Sequence, residues 1–232
     1  MKDMISFLKD LTQLERKQYH PLVHEVHKKH NISKKTLFYI REYGPHSHVF
    51  RTIFKESIRI LLFASVLSSI GGLAFENIKQ IFISIIPLVI LFPALNDMIG
   101  DYGGIISSKF SSMLHEGRIE GEKWWKNKDI NTLFVQVLII SLITAVLSSV
   151  ISLVISSFSS YSINTSIALK IFLISIIDVT LLVTSLFFIA IYAGMYFFKE
   201  HEDPNNFLIP ITTSLADFGN MMLLSMLIVL FF

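Results

Sequence analysis

Cysteine is absent from the 232 residues, which removes disulfides, thiolate metal sites and cysteine nucleophiles together. Charge is scarce as well. Asp, Glu, Lys and Arg make up 16% of the chain, against roughly one quarter in soluble domains. No Gly-rich phosphate loop with its Lys, no nucleophile–base signature and no HExxH is present, so the chain is not expected to be an enzyme or to hydrolyse ATP. Alternating ten-residue strands bounded by turns are missing, which argues against an outer-membrane barrel. The N-terminus, MKDMISFLKDLTQLERKQYH, is amphipathic and charged and lacks a continuous apolar core. A cleavable signal peptide is therefore not expected, and the first span should act as the insertion signal.

What the chain has is apolar length. Hydrophobic residues reach 52% and the mean hydropathy is +0.59. Runs long enough to cross a bilayer recur, which predicts an all-α polytopic membrane protein with five transmembrane helices. The division expected is a cytoplasmic N-terminal helical segment over 1–55 and a transmembrane region over 56–232. The first span is placed at about Glu56 to Phe75, followed by a short polar link from Glu76 to Lys79. The second, from Gln80 to about Leu114, is read as a broken helix: Pro93 and the clustered Gly after it favour unwinding beside a wet cavity. The third runs from about Asn131 to Phe158, the fourth from Ile167 to Phe198, and the fifth from Phe207 to the C-terminus.

Basic residues set the expected orientation. Twelve Lys and Arg precede or open the first span, and Lys109, Arg118, Lys123, Lys126 and Lys128 follow the second. The links after the first and third spans offer only Lys79 and Lys170. The positive-inside bias puts the N-terminus in the cytoplasm and, with five spans, the C-terminus outside, in a multi-pass protein of the cell membrane. Trp124 and Trp125 then fall at the cytoplasmic interface. Membrane lipid is an expected partner, and nucleic acid is not.

Four acids, Asp97, Asp101, Asp178 and Asp217, sit inside or against the most apolar stretches. A carboxylate at bilayer depth costs several kcal/mol unless compensated, and no matching set of Lys or Arg lies nearby. The natural counter-charge is a mobile cation. Thr212, Thr213, Asp217 and Asn220 recur at three- or four-residue spacing and are read as one oxygen-bearing helix face. Such oxygens suit hard cations such as Mg²⁺ and Ca²⁺. The competing reading makes Asp217 a polar clamp between helices. Asp97 and Asp101 share a face if the helix is continuous, and a bound cation would relieve their repulsion; otherwise they are solvated loop acids. Asp178 stands as a second ion site, a proton relay or a satisfied interhelical acid. His20, His24, His27 and His30 either chelate a transition metal or join Lys28 and Lys29 on a solvated basic face.

The residues resemble a known family. PALNDMIGDYGGIISSKFSSMLHEG is similar to the second helix of MgtE magnesium transporters, and its S-x-x-LH-x-G ending looks closer to the archaeal and animal (solute-carrier 41) branch. DPNNFLIPITTSLADFGN resembles the family's second signature, DP followed by TT-x-x-D-x-x-G. The resemblance implies a homodimer moving Mg²⁺ or another divalent cation along its subunit interface, with the second and last helices lining the path. It places the principal Mg²⁺-coordinating carboxylate at Asp217, and Asp101 where the family has the Asn of its GN. The metal-facing set expected is thus Asp217, Asp101, Asp97, Asn220, Thr213 and Asp178. Paired CBS domains do not fit into 55 residues, so gating through them is not expected. A Na⁺- or H⁺-coupled exchanger is the alternative, with Asp178 as its coupling site.

Overall fold

The computed structural model describes residues 49–119, 124–159, 161–199 and 203–232. The segment 1–48, with His20, His24, His27 and His30, lies outside the described residues. Five long helices follow one another: α1 (Val49–Ser84), α2 (Ile86–His115), α3 (Lys128–Phe158), α4 (Thr165–Lys199) and α5 (Pro204–Phe231). Each has a stretch long and apolar enough to cross a membrane, beginning at Ile60 in α1. Their outer faces carry exposed Leu61, Phe63, Ile143, Leu147, Val229 and Leu230, the pattern of helices whose solvent is lipid rather than water.

The first two spans differ from the expectation. The polar stretch Glu76 to Lys79 is not a link: α1 runs through it, with Glu76 and Lys79 exposed on one face and 3.4 Å apart. The second helix is not broken at Pro93 either, because α2 is continuous from Ile86 to His115. The interruption falls at Ile85, whose φ of −109° and ψ of 82° leave the helical region. Pro87 accounts for it. In a helix continued from α1 its ring would meet the carbonyl of Ile83. Placed in the first turn of a new helix, its missing N–H costs nothing. Pro93 is carried in the interior by burial of Leu91 and Leu95 on either side of it.

α5 is the central element. It packs on α1, α2 and α4, while α3 packs on α2 and α4, and α1 touches α2 only lightly. Asp203 caps α5 by accepting from the Asn205 N–H at 3.0 Å, with Pro204 in the first turn. Asn127 caps α3, accepting from Asp129 and Ile130, and its amide ties back to the Arg118 carbonyl at 2.8 Å. Glycines mark several of the close approaches between helices. A Cβ on Gly103 of α2 would lie 3.1 Å from Thr212 Cβ of α5, and one on Gly194 of α4 would lie 2.7 Å from the Phe110 ring of α2. Small residues at such crossings bring membrane helices together where apolar burial alone cannot.

Candidate cation site between the second and fifth helices

Helical periodicity sorts the polar residues of α5 into two faces. Thr212, Ala216 and Asn220, four residues apart, are fully buried. Thr213 and Asp217, one position further round, line an open cavity of about 770 Å³. The single oxygen-bearing face expected from sequence is therefore two faces, because adjacent residues on a helix point about 100° apart. Thr212 looks into the α2 contact, where its hydroxyl meets Ser107 Oγ at 3.0 Å.

α2 supplies the opposite wall. Asp97 and Asp101 are exposed and line the same cavity as Asp217 and Thr213, with Asn96, Gly100, Phe92 and Met221. Continuity of α2 from Asp97 to Asp101 puts the two acids on one face. A smaller cavity of about 390 Å³ shares Gly100, Asp101 and Thr213 and leads on to Ser108, Lys109 and Ile209. Together the two form a groove along α2 and α5, acidic around Asp97, Asp101 and Asp217 and reaching a Lys at its other end.

Asp217 is held by two neighbours. Asn96 Nδ2 donates to its Oδ1 at 2.7 Å, and Ser68 Oγ of α1 donates to its Oδ2 at 3.4 Å. One end of the Asn220 carboxamide lies 2.9 Å from Asn96 Oδ1. Asn220 and Asp178 are both 0% exposed and line neither cavity. The structure thus brings together Asp97, Asp101, Thr213 and Asp217, and sets Asn220 and Asp178 behind them. Among the described residues no three His, Asp or Glu converge closely enough to chelate a metal. A wall of separated carboxylates suits an ion that keeps much of its water, as Mg²⁺ does.

Asn96 and Ser68 are contributors outside the expected metal-facing set. Asn96 carried a signal, since it precedes Asp97 in an apolar run; Ser68 carried none, because its role depends on how α1 crosses α5. The two signature stretches also meet at the far end of α2. His115 Nε2 lies 3.6 Å from Asp203 Oδ1, with both side chains nearly buried, so the LH motif touches the Asp of the DP motif.

Comparison with known proteins places the chain among relatives. Solute carrier family 41 member 2 of Gallus gallus is 26% identical over 179 residues, and its counterparts in Homo sapiens and Mus musculus are each 25% identical over the same length. The aligned region covers 72% of this chain and 30% of each relative, so the chain spans under a third of the proteins it matches. No solved structure matches it. The family profile described as MgtE, divalent cation transporter, matches residues 92–227, a stretch that holds both signatures and both walls of the groove. The chain belongs to the MgtE family of divalent cation transporters.

Proposed function

We propose that this chain conducts Mg²⁺, or a closely similar hard dication, across the cell membrane as a homodimer, along a path lined by α2 and α5 where the two copies meet. The observation that carries the reading is the composition of one cavity. Asp97, Asp101 and Asp217 line it together, and among the described residues no Lys or Arg does. Three carboxylates in a membrane-spanning unit demand cationic compensation, and oxygen ligands select hard cations. In one copy the acids stand on an open wall. A two-fold axis beside that wall would bring a second set of acids to face the first and enclose a ring wide enough for a partly hydrated ion.

Asp217 is the principal ion-facing acid in this reading, because Asn96 and Ser68 fix its orientation. Asp97, Asp101 and Thr213 extend the wall along the groove. The N-terminus lies in the cytoplasm and the C-terminus outside, following the distribution of Lys and Arg. Voltage alone contributes about 4.6 kcal/mol per 100 mV to inward movement of a dication, so entry needs no other energy source.

The test is flux into proteoliposomes under an imposed potential. Mg²⁺ uptake that follows voltage with no Na⁺ or pH gradient is the expected result. Uptake that appears only with such a gradient would replace the channel by an exchanger, and no uptake under either condition would sink transport. Cross-linking between cysteines introduced beside the groove on two copies tests the interface separately.

A further inference from the structure

A row of four polar side chains runs through the interior from α4 to the groove. Asp178 of α4 comes first, then Asn220 of α5, Asn96 of α2 and Asp217 of α5. One end of the Asn220 carboxamide lies 2.9 Å from Asp178 Oδ2, and the other lies 2.9 Å from Asn96 Oδ1. The Asn96 nitrogen then donates to Asp217 Oδ1 at 2.7 Å. Two amides therefore stand between two acids, joined by three contacts.

Each contact needs one hydrogen. A carboxamide offers N–H donors at one end and an acceptor oxygen at the other, so each amide supplies one donor to the row. Two donors cannot fill three contacts. Turning an amide over moves the gap without closing it. With the Asn220 nitrogen toward Asp178, its oxygen gains the Asn96 backbone N–H at 3.3 Å but opposes Asn96 Oδ1 at 2.9 Å. The third hydrogen has to come from a carboxylic acid O–H.

The neighbours decide which acid carries it. Asp217 already accepts on both oxygens, from Asn96 and from Ser68, and it borders the cavity. Asp178 is 0% exposed, and its Oδ1 has no hydrogen-bond partner among the described residues. A neutral acid tolerates such an orphaned oxygen far better than a carboxylate does.

We infer that Asp178 is a neutral positioning residue: its carboxyl hydrogen donates to Asn220 Oδ1, which aligns both amides and aims the Asn96 N–H at Asp217. Asp217 Oδ1 is thereby occupied and the carboxylate held at a fixed angle to the cavity. Asp178 is then neither an ion ligand nor a coupling site. The functional half of this inference rests on the proposed role of Asp217, whereas the hydrogen count does not.

Two measurements on the full chain test it. In proteoliposomes, Asp178→Leu, which cannot donate, lets the amides turn and raises the half-saturating Mg²⁺ concentration about tenfold, the loss expected when the Asn96 hydrogen bond to the charged Asp217 is no longer aligned. Asp178→Asn keeps a neutral donor of the same shape and restores the value to within about threefold. An Asn variant as impaired as the Leu variant would show that charge at this position is needed and would overturn the inference. An unchanged half-saturation in Asp178→Leu would remove the positioning role. Infrared difference spectra of purified protein supply the second readout. The carbonyl stretch of a protonated carboxylic acid present in the wild type is lost in Asp178→Asn; a band untouched by that substitution overturns the neutral assignment. The infrared result stands even if the wild type moves no dication, so failure of the transport reading and failure of the hydrogen count are told apart.

Discussion

The groove between α2 and α5 and the seam between α3 and α4 are both rich in oxygen, and they use it in opposite ways. In the seam, Ser149, Ser152 and Ser156 are buried and each hydroxyl bonds a carbonyl of its own helix, from Ala145, Ser149 and Ser152. Ser149 also meets Ser175 of α4 at 2.8 Å. Nothing in that cluster is left wanting a ligand. In the groove, Asp97, Asp101 and Asp217 border one open cavity that no Lys or Arg lines among the described residues. Polarity within a span does not by itself indicate transport; the sign is polarity that the helices leave uncompensated.

The sharpest way to break this contrast is Asp217→Asn. It removes the acid that Asn96 and Ser68 hold while keeping an isosteric polar group, so the fold should survive. Uptake of Mg²⁺ is expected to fall about a hundredfold, corresponding to roughly 3 kcal/mol for a lost interaction with a charged group. Flux measured beside a size-exclusion profile checks both halves, and near-normal flux would return Asp217 to the class of interhelical clamps.

Gly194→Ala attacks the scaffold behind the groove. The added methyl would lie 2.7–2.8 Å from two carbons of the buried Phe110 ring and 3.1 Å from Leu208, where α4, α2 and α5 meet. Overpacking costs about 1–3 kcal/mol, partly offset by the better helix propensity of Ala. A net loss of about 1–2 kcal/mol in thermal stability is expected, with no change in ion preference among the molecules that remain folded.

Asp101→Asn probes the wall rather than the held acid. Asp101 is exposed to the groove, so its effect is a long-range one on the local potential and weakens as salt is raised. Uptake at low ionic strength should drop about three- to tenfold, near 1 kcal/mol, and the deficit should shrink in high salt. A deficit independent of salt would make Asp101 a direct ligand instead.

Much of the architecture was legible because bilayer thickness makes length and hydropathy decisive. The expected starts of the third, fourth and fifth spans lie within about three residues of the observed helix starts. The turn between the first two spans is set by proline geometry, which outweighs local charge. Glu76 and Lys79 pair on the surface of a continuous helix, whereas Pro87 ends one helix and starts another. The site was legible along a single helix: the i, i+4 pairs Asp97–Asp101 and Thr213–Asp217 do line one cavity. It was not legible across helices. Whether Asn220 faces the cavity or Asn96, and whether Ser68 reaches Asp217, depends on helix rotation and crossing, which packing sets and local sequence does not.

The smallest expected effect completes the comparison. Ser149→Ala deletes a hydroxyl whose hydrogen bonds are all internal to α3 and α4. Hydrogen bonds between membrane helices average about 0.6 kcal/mol, because the unfolded chain in the bilayer finds partners too. Thermal stability should fall by no more than about that amount, and Mg²⁺ uptake should not change. If uptake did change, the seam would have to move during transport, and its hydroxyls would be part of the machinery. An unaltered flux leaves the transport function to the side of the bundle where carboxylates remain open to an ion.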